Sequence, residues 1–144
     1  SAAMADRLLA DVTELVTRAK AVELNPLQLA NGSKALLDEI ATGKITGEEE
    51  RYSHTDLWDF EANVEGSTAA IAALRPYLAT ADPALVATID ERGKALSDLL
   101  ETYREGDGFV LYTDLTPQDV KKLTTALDAF SEPVATVAGV VARG

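Results

Sequence analysis

The chain has 144 residues, 47% of them hydrophobic, and a formal net charge of -11 from 24 acidic and 13 basic side chains. That length and apolar content suit one domain with a real core. The acidic excess repels phosphate backbones and anionic lipid, so nucleic acid and membrane surfaces are excluded as natural partners, whereas cations and basic proteins are favoured.

The same excess is what solubility alone would ask for. Without cysteine there are no disulfides, thiolate metal sites or Cys nucleophiles. No apolar run of about 18 residues is present to span a bilayer. The sequence shows no signal peptide, but a trimmed or mature chain would read the same way.

In chain order, Leu8, Val12, Leu15, Ala19 and Val22 recur at three and four residues and predict a first helix over about 3–22. Asn25-Pro26 is a cap followed by a proline at the first helical position. It opens a second helix through Leu29, Ser33, Leu36, Leu37 and Ile40, with Gly43 as its expected end. A connection from Ile45 to Tyr52 follows; Thr46 and Glu49 have capping-box spacing, and Glu48-Glu49-Glu50 reads as a solvated run.

The stretch from Glu50 to Gly66 is the centre of the pattern and holds the only His and the only Trp. Ser53 and Asp56 have capping-box spacing, which predicts a third helix starting near His54. Leu57, Phe60, Val64, Ser67, Ile71, Leu74 and Leu78 then alternate strictly by three and four, the seam of a bundle helix. Pro76 predicts that its last turns are kinked or finished.

Asp82-Pro83 opens a fourth helix on Leu85, Ile89, Leu96, Leu99, Leu100 and Tyr103, ending at Gly106, with Gly93 on the same face to admit a close neighbour. Glu105 to Asp114 reads as a loop, with Phe109 to Tyr112 as one short extended piece. Thr116-Pro117 opens the last helix, whose seam of Val120, Leu123, Leu127, Phe130, Val134, Val137 and Val141 crosses Pro133 without a phase break. A kinked helix is expected there, with two helices meeting at Pro133 as the alternative. The fold class is therefore all-α: an antiparallel bundle of four to five helices in a single unit over 1–144.

Chemistry gathers at the start of the third helix. At about 100° per residue, Asp56 lies at the edge of the apolar stripe and Asp59 and Asn63 continue that edge; His54, Trp58, Glu61 and Glu65 follow the opposite one. A carboxylate aimed at a bundle interior needs a pair, hydrogen bonds or a metal. Asp56 either caps its own helix or joins His54 and Asp59 in a hard-cation site. Trp58 reads as packing, and Asp59, Glu61 and Glu65 most simply as a solvated face. A single His and no Cys give no zinc signature. Arg51 stands where a di-iron bundle would need Glu three residues before His54. No phosphate loop, nucleophile elbow or complete peptidase set is present.

The run Ile45-Thr46-Gly47-Glu48-Glu49-Glu50-Arg51-Tyr52-Ser53-His54-Thr55-Asp56-Leu57-Trp58-Asp59-Phe60, with Ala62-Asn63-Val64-Glu65-Gly66, resembles the imelysin-like domain of EfeO-type iron-uptake proteins. Tyr103 to Phe109, Tyr112 and Leu127 to Pro133 carry the same resemblance. It implies an all-helical domain built as two bundle halves, exported to the periplasm or cell surface, often as a lipoprotein, and working with an iron permease. It also implies iron or another divalent or trivalent cation as the bound species, and binding rather than peptidase catalysis.

The family's His-x-x-Glu motif is absent, since Leu57 follows His54 at the third position. The chain thus resembles the C-terminal part of the domain, with His54, Asp56 and Asp59 as a partial metal site and self-association of a half-domain expected. The alternative is a helical module that binds a protein or an acidic polysaccharide without metal.

Overall fold

The computed structural model describes residues 5–7, 9–11, 25–44 and 56–144. Four long helices stand among them: α1 (Pro26–Glu39), α2 (Asp56–Ala81), α3 (Pro83–Glu101) and α4 (Pro117–Arg143). Residues 5–7 and 9–11 are helical as well. The all-α expectation holds.

Each cap-and-proline start forms as its chemistry requires. The Asn25 side chain accepts from Leu27 N–H at 2.8 Å, while the Gln28 side chain accepts from Asn25 N–H at 3.3 Å. Asp82 accepts from Leu85 N–H at 3.0 Å. Thr116 and Asp119 close a reciprocal box at 3.0 and 2.9 Å. These bonds satisfy N–H groups that the helix itself leaves open.

The helices run antiparallel in sequence order. Ser33 meets Ser67 and Leu36 meets Asn63 across α1 and α2. Arg75 meets Asp90 near the one-residue connection of α2 to α3, and Glu61 meets Arg104 at the far end. Arg92 reaches Ala129 while Tyr103 reaches Asp119 across α3 and α4. α4 also packs on α1, closing a four-cornered bundle. Its core takes in all seven seam positions of α2: the six apolar ones and Ser67 are each at most 4% exposed. Leu123, Leu127, Phe130, Val134 and Val137 of α4 are buried beside them. A methyl group on Gly93 would stand 3.0 Å from Phe130 Cε1, so the bare glycine is what lets this ring lie against α3.

Two boundaries differ from the sequence expectation, the ends of α1 and α3. α1 passes into a single π turn, Ile40–Lys44, instead of stopping at Gly43; Thr42 Oγ1 donates back to Asp38 and Glu39 carbonyls there. α2 runs through Pro76 to Ala81. α3 stops at Glu101, and Gly106, at φ 59°, turns a two-stranded hairpin instead. Its strands are β1 (Arg104–Glu105) and β2 (Gly108–Phe109); two-residue strands have no periodicity to read.

As expected in preference to two helices, α4 is one helix across Pro133. Proline has no N–H for the Ala129 carbonyl; Arg92 Nη1 supplies one at 2.9 Å from α3, and Thr136 Oγ1 caps the Pro133 carbonyl at 2.8 Å. The expected start of α2 near His54 lies outside the described residues, as does the Glu48-Glu49-Glu50 run.

Candidate functional site

The head of α2 carries a cluster of charge. Glu61 and Glu65 are one turn apart and share a helix face. With Val64 they form one wall of a cavity of about 210 Å³, completed by Ser97, Leu100 and Glu101 of α3 and by Arg104 of the hairpin. Ala5 lies over the outer side of Glu61 and Glu65.

Arg104 ties the walls together. Its Nη2 donates to Glu61 Oε1 at 2.8 Å and to Glu101 Oε1 at 3.0 Å, and its Nε reaches both Glu101 oxygens at 3.1 and 3.2 Å. Glu61 Oε2, shut off from solvent, is also 2.8 Å from Nη2. It lies off the N–H direction, so it gains the charge without a directed hydrogen bond.

Three carboxylates therefore face one guanidinium in a partly dehydrated space. Burial, then the Glu61 charge and a hydrogen bond to Glu61, push the Glu65 pKa up to about 7, with Arg104 pulling the other way. At neutral pH Glu65 is therefore about half protonated.

The hairpin is seated on aromatic contacts beside this cluster. Trp58 stands edge-on to Phe109, with centroids 5.5 Å apart and an interplanar angle of 86°. Arg104 lies over the other ring of the set, 4.2 Å from the Phe109 centroid. A methyl group on Gly108 would come within 3.1 Å of Trp58 Cζ2, so only glycine lets the strand lie this flat on the indole.

Of the residues the sequence singled out, Asp59 is half-buried in the second turn of α2. His54 and the Asp56 side chain lie outside the described residues. Asn63 donates to the Leu36 carbonyl at 3.1 Å and belongs to the α1–α2 contact. Trp58 is the packing residue it was expected to be. The solvated-face reading fails for Glu61 and Glu65: the Glu61 side chain is only 17% exposed, because Arg104 folds back over it. Arg104 itself was missed, since its position 43 residues from Glu61 depends on the unread hairpin.

A larger open groove, of about 600 Å³, runs between α3 and α4 over Leu99, Ala126 and Ala129 with Lys121 and Lys122 at its side. Its lining has no carboxylate or imidazole. Among the described residues no three His, Asp or Glu side chains converge as a ready metal site, and no helix is long and apolar enough to cross a membrane.

The family can now be read from comparison. The chain is 43% identical over 137 residues to the iron uptake system component EfeO of Escherichia coli O157:H7. It is 42% identical over the same length to those of Escherichia coli K12 and Shigella flexneri. The match takes in 95% of this chain and 36% of each relative, so the chain spans a little over a third of their length. Residues 1–137 match the family described as Imelysin, Peptidase_M75, and the chain belongs to the imelysin family.

Proposed function

We propose that this chain is the C-terminal part of an imelysin-like domain in an extracytoplasmic iron-uptake component, acting by binding and delivering the ion rather than by catalysis. The observation that carries the reading is the 43% identity, across 95% of the chain, to a protein named for iron uptake. The surplus of carboxylates at the head of α2 supports it, since a partly dehydrated negative site attracts a cation in preference to an anion. The ion is cargo, and a hard-cation set of oxygens and one imidazole suits it.

His54, Asp56 and Asp59 are the proposed ligands from this chain, a partial set whose remaining members come from elsewhere in the longer protein. An iron permease of the same system is the proposed recipient, and the periplasm or cell surface the proposed location. The peptidase name attached to the family is set aside in this reading because the relatives are named for iron uptake.

Calorimetric titration with ferrous, ferric and zinc ions tests this. The expected result is weak binding by the chain, stronger binding by the longer protein, and at least about tenfold loss in Asp56→Ala. Unchanged affinity in that variant of the longer protein would remove Asp56 from the site.

The apolar groove between α3 and α4 favours a second reading, a helical module that binds a partner protein without metal. A thermal melt separates the two: a native-state ligand raises the midpoint, and a melt indifferent to every ion tried favours the groove.

A further inference from the structure

We infer that the groove between α3 and α4 is the seat of a partner protein's amphipathic helix, one with an apolar stripe and acidic side chains gathered at one end of it. This assignment rests on the docking reading of the groove and is independent of iron.

The groove has the length and the floor for a helix. Gln118 and Ala129, its limits on α4, are 11 residues apart. At ~1.5 Å per residue the lined stretch is about 16 Å long, or about three helical turns. Leu99 supplies the apolar patch from α3, while Ala126 and Ala129 are short enough for a neighbouring backbone to come close.

The backbone of the groove has little to offer a ligand. From Lys121 onward the α4 main chain is bonded within its own helix. The Ala129 carbonyl, which Pro133 leaves free, is taken by Arg92 at 2.9 Å. An extended segment would give up its hydrogen bonds to water there without replacement, whereas a helix satisfies its own backbone. A groove open along its side also suits a helix better than a small molecule, which needs enclosure over most of its surface.

Charge selects the partner. The lining has Lys121 and Lys122 and no carboxylate, in a chain with 24 acidic and 13 basic residues. Lys34 and Lys94 each pair with an aspartate four residues on, at 2.6 Å. Four residues on from Lys121 and Lys122 stand Thr125 and Ala126, and among the described residues neither ammonium forms an ion pair. Lys122 interacts only with the more distant charge of Asp119.

The two lysines lay their stems along the groove and keep their exposed heads for a carboxylate that the occupant brings. Both stand at the N-terminal end of α4, so the occupant's acids gather there. Farther along α4 the exposed Asp128 and Glu132 would repel them, which fixes the register.

Stapled helical peptides of about four turns are the probe. One has Leu at i, i+3 and i+7 with Glu beside the Leu at one end; its companions have Gln or Lys in place of Glu. Titration of the full chain, followed by backbone amide shifts, should show the Glu peptide binding at about 10–100 μM and the Lys peptide at least about tenfold more weakly. Lys121→Glu combined with Lys122→Glu, both at exposed positions, should reverse that order, a result that loss of fold cannot produce. Equal affinity for the Glu and Gln peptides would overturn the acidic partner and leave the docking surface standing. Binding of none of the three would overturn both. Binding of the Glu peptide that the double substitution leaves unchanged would put the peptide elsewhere and overturn the assignment. Sedimentation equilibrium of the chain alone is the last arm: a concentration-dependent dimer that the double substitution dissolves would make a second copy the occupant, and the assignment would fall.

Discussion

Two polar clusters face inward from α2, one either side of its seam. On the α1 side, Ser33 and Ser67 are fully buried: their hydroxyls lie 2.6 Å apart and Ser33 donates on to the Ser67 carbonyl at 3.1 Å. Every hydrogen has an acceptor and no charge is involved. On the α3 side, Glu61 and Glu101 share the Arg104 guanidinium, and Glu65 lines the same cavity. The first cluster closes its own account of donors and acceptors; the second cannot, because three acids and one base leave net charge where water is scarce. Buried polarity that is neutral and satisfied specifies a register. Buried polarity with a charge left over makes the fold answer to pH and to cations.

Several substitutions would break or sharpen that contrast. Phe130→Ala sets the scale, since the ring is 1% exposed and fills the space left by Gly93. It should cost about 3–5 kcal/mol in denaturant unfolding, and equally at pH 5 and pH 8, because the seam has no titrating group.

Arg104→Met should come next, at about 2 kcal/mol. It keeps the aliphatic packing and removes the counter-charge; the loss of a fully buried partner would be larger, but Arg104 is 27% exposed and solvent screens part of it. A loss confined to less than ~0.5 kcal/mol would show that the cluster is solvated in practice.

The pH dependence distinguishes the clusters most directly. Glu65 has its pKa raised from 4.5 to about 7 by burial and by Glu61. Its contribution to stability is therefore complete below pH 4.5 and is lost as pH rises through 7. Glu65→Gln should flatten the stability profile in that window, as read from melts at successive pH values.

Ser33→Ala should cost about 1 kcal/mol by stranding Ser67, and the double change to Ala should recover part of it, with no pH dependence in either. Smallest is Lys94→Ala, which removes a surface pair with Asp98 whose partners are 76% and 64% exposed; less than ~0.5 kcal/mol is expected.

Much of the fold was legible because helix packing is local and periodic. The seven positions of the α2 seam are all buried, and Asn25, Asp82 and Thr116 cap where their side-chain chemistry says they should. The prolines were harder. At Pro133 one helix was expected in preference to two, and α4 does continue; what the sequence did not show is that the carbonyl left free is met by Arg92 from another helix. No window along α4 contains that residue.

The candidate site was legible only in its address. The concentration of acids at the head of α2 marked the place, but the members that meet there depend on the hairpin. Helix periodicity put Glu61 and Glu65 on an outer edge, and that edge would face water if the chain after α3 went elsewhere.

By itself the sequence determined the helices, their inward faces and the excess of negative charge, because these follow from residue spacing and from counting. Only the tertiary structure decided that Arg104 turns back across Glu61 and Glu101 and that Phe109 settles on Trp58. The contacts of Arg104 with Glu61 and of Phe109 with Trp58 join parts of the chain more than 40 residues apart, and dehydration, which turns an ordinary glutamate into a proton-holding one, exists only once the parts have come together.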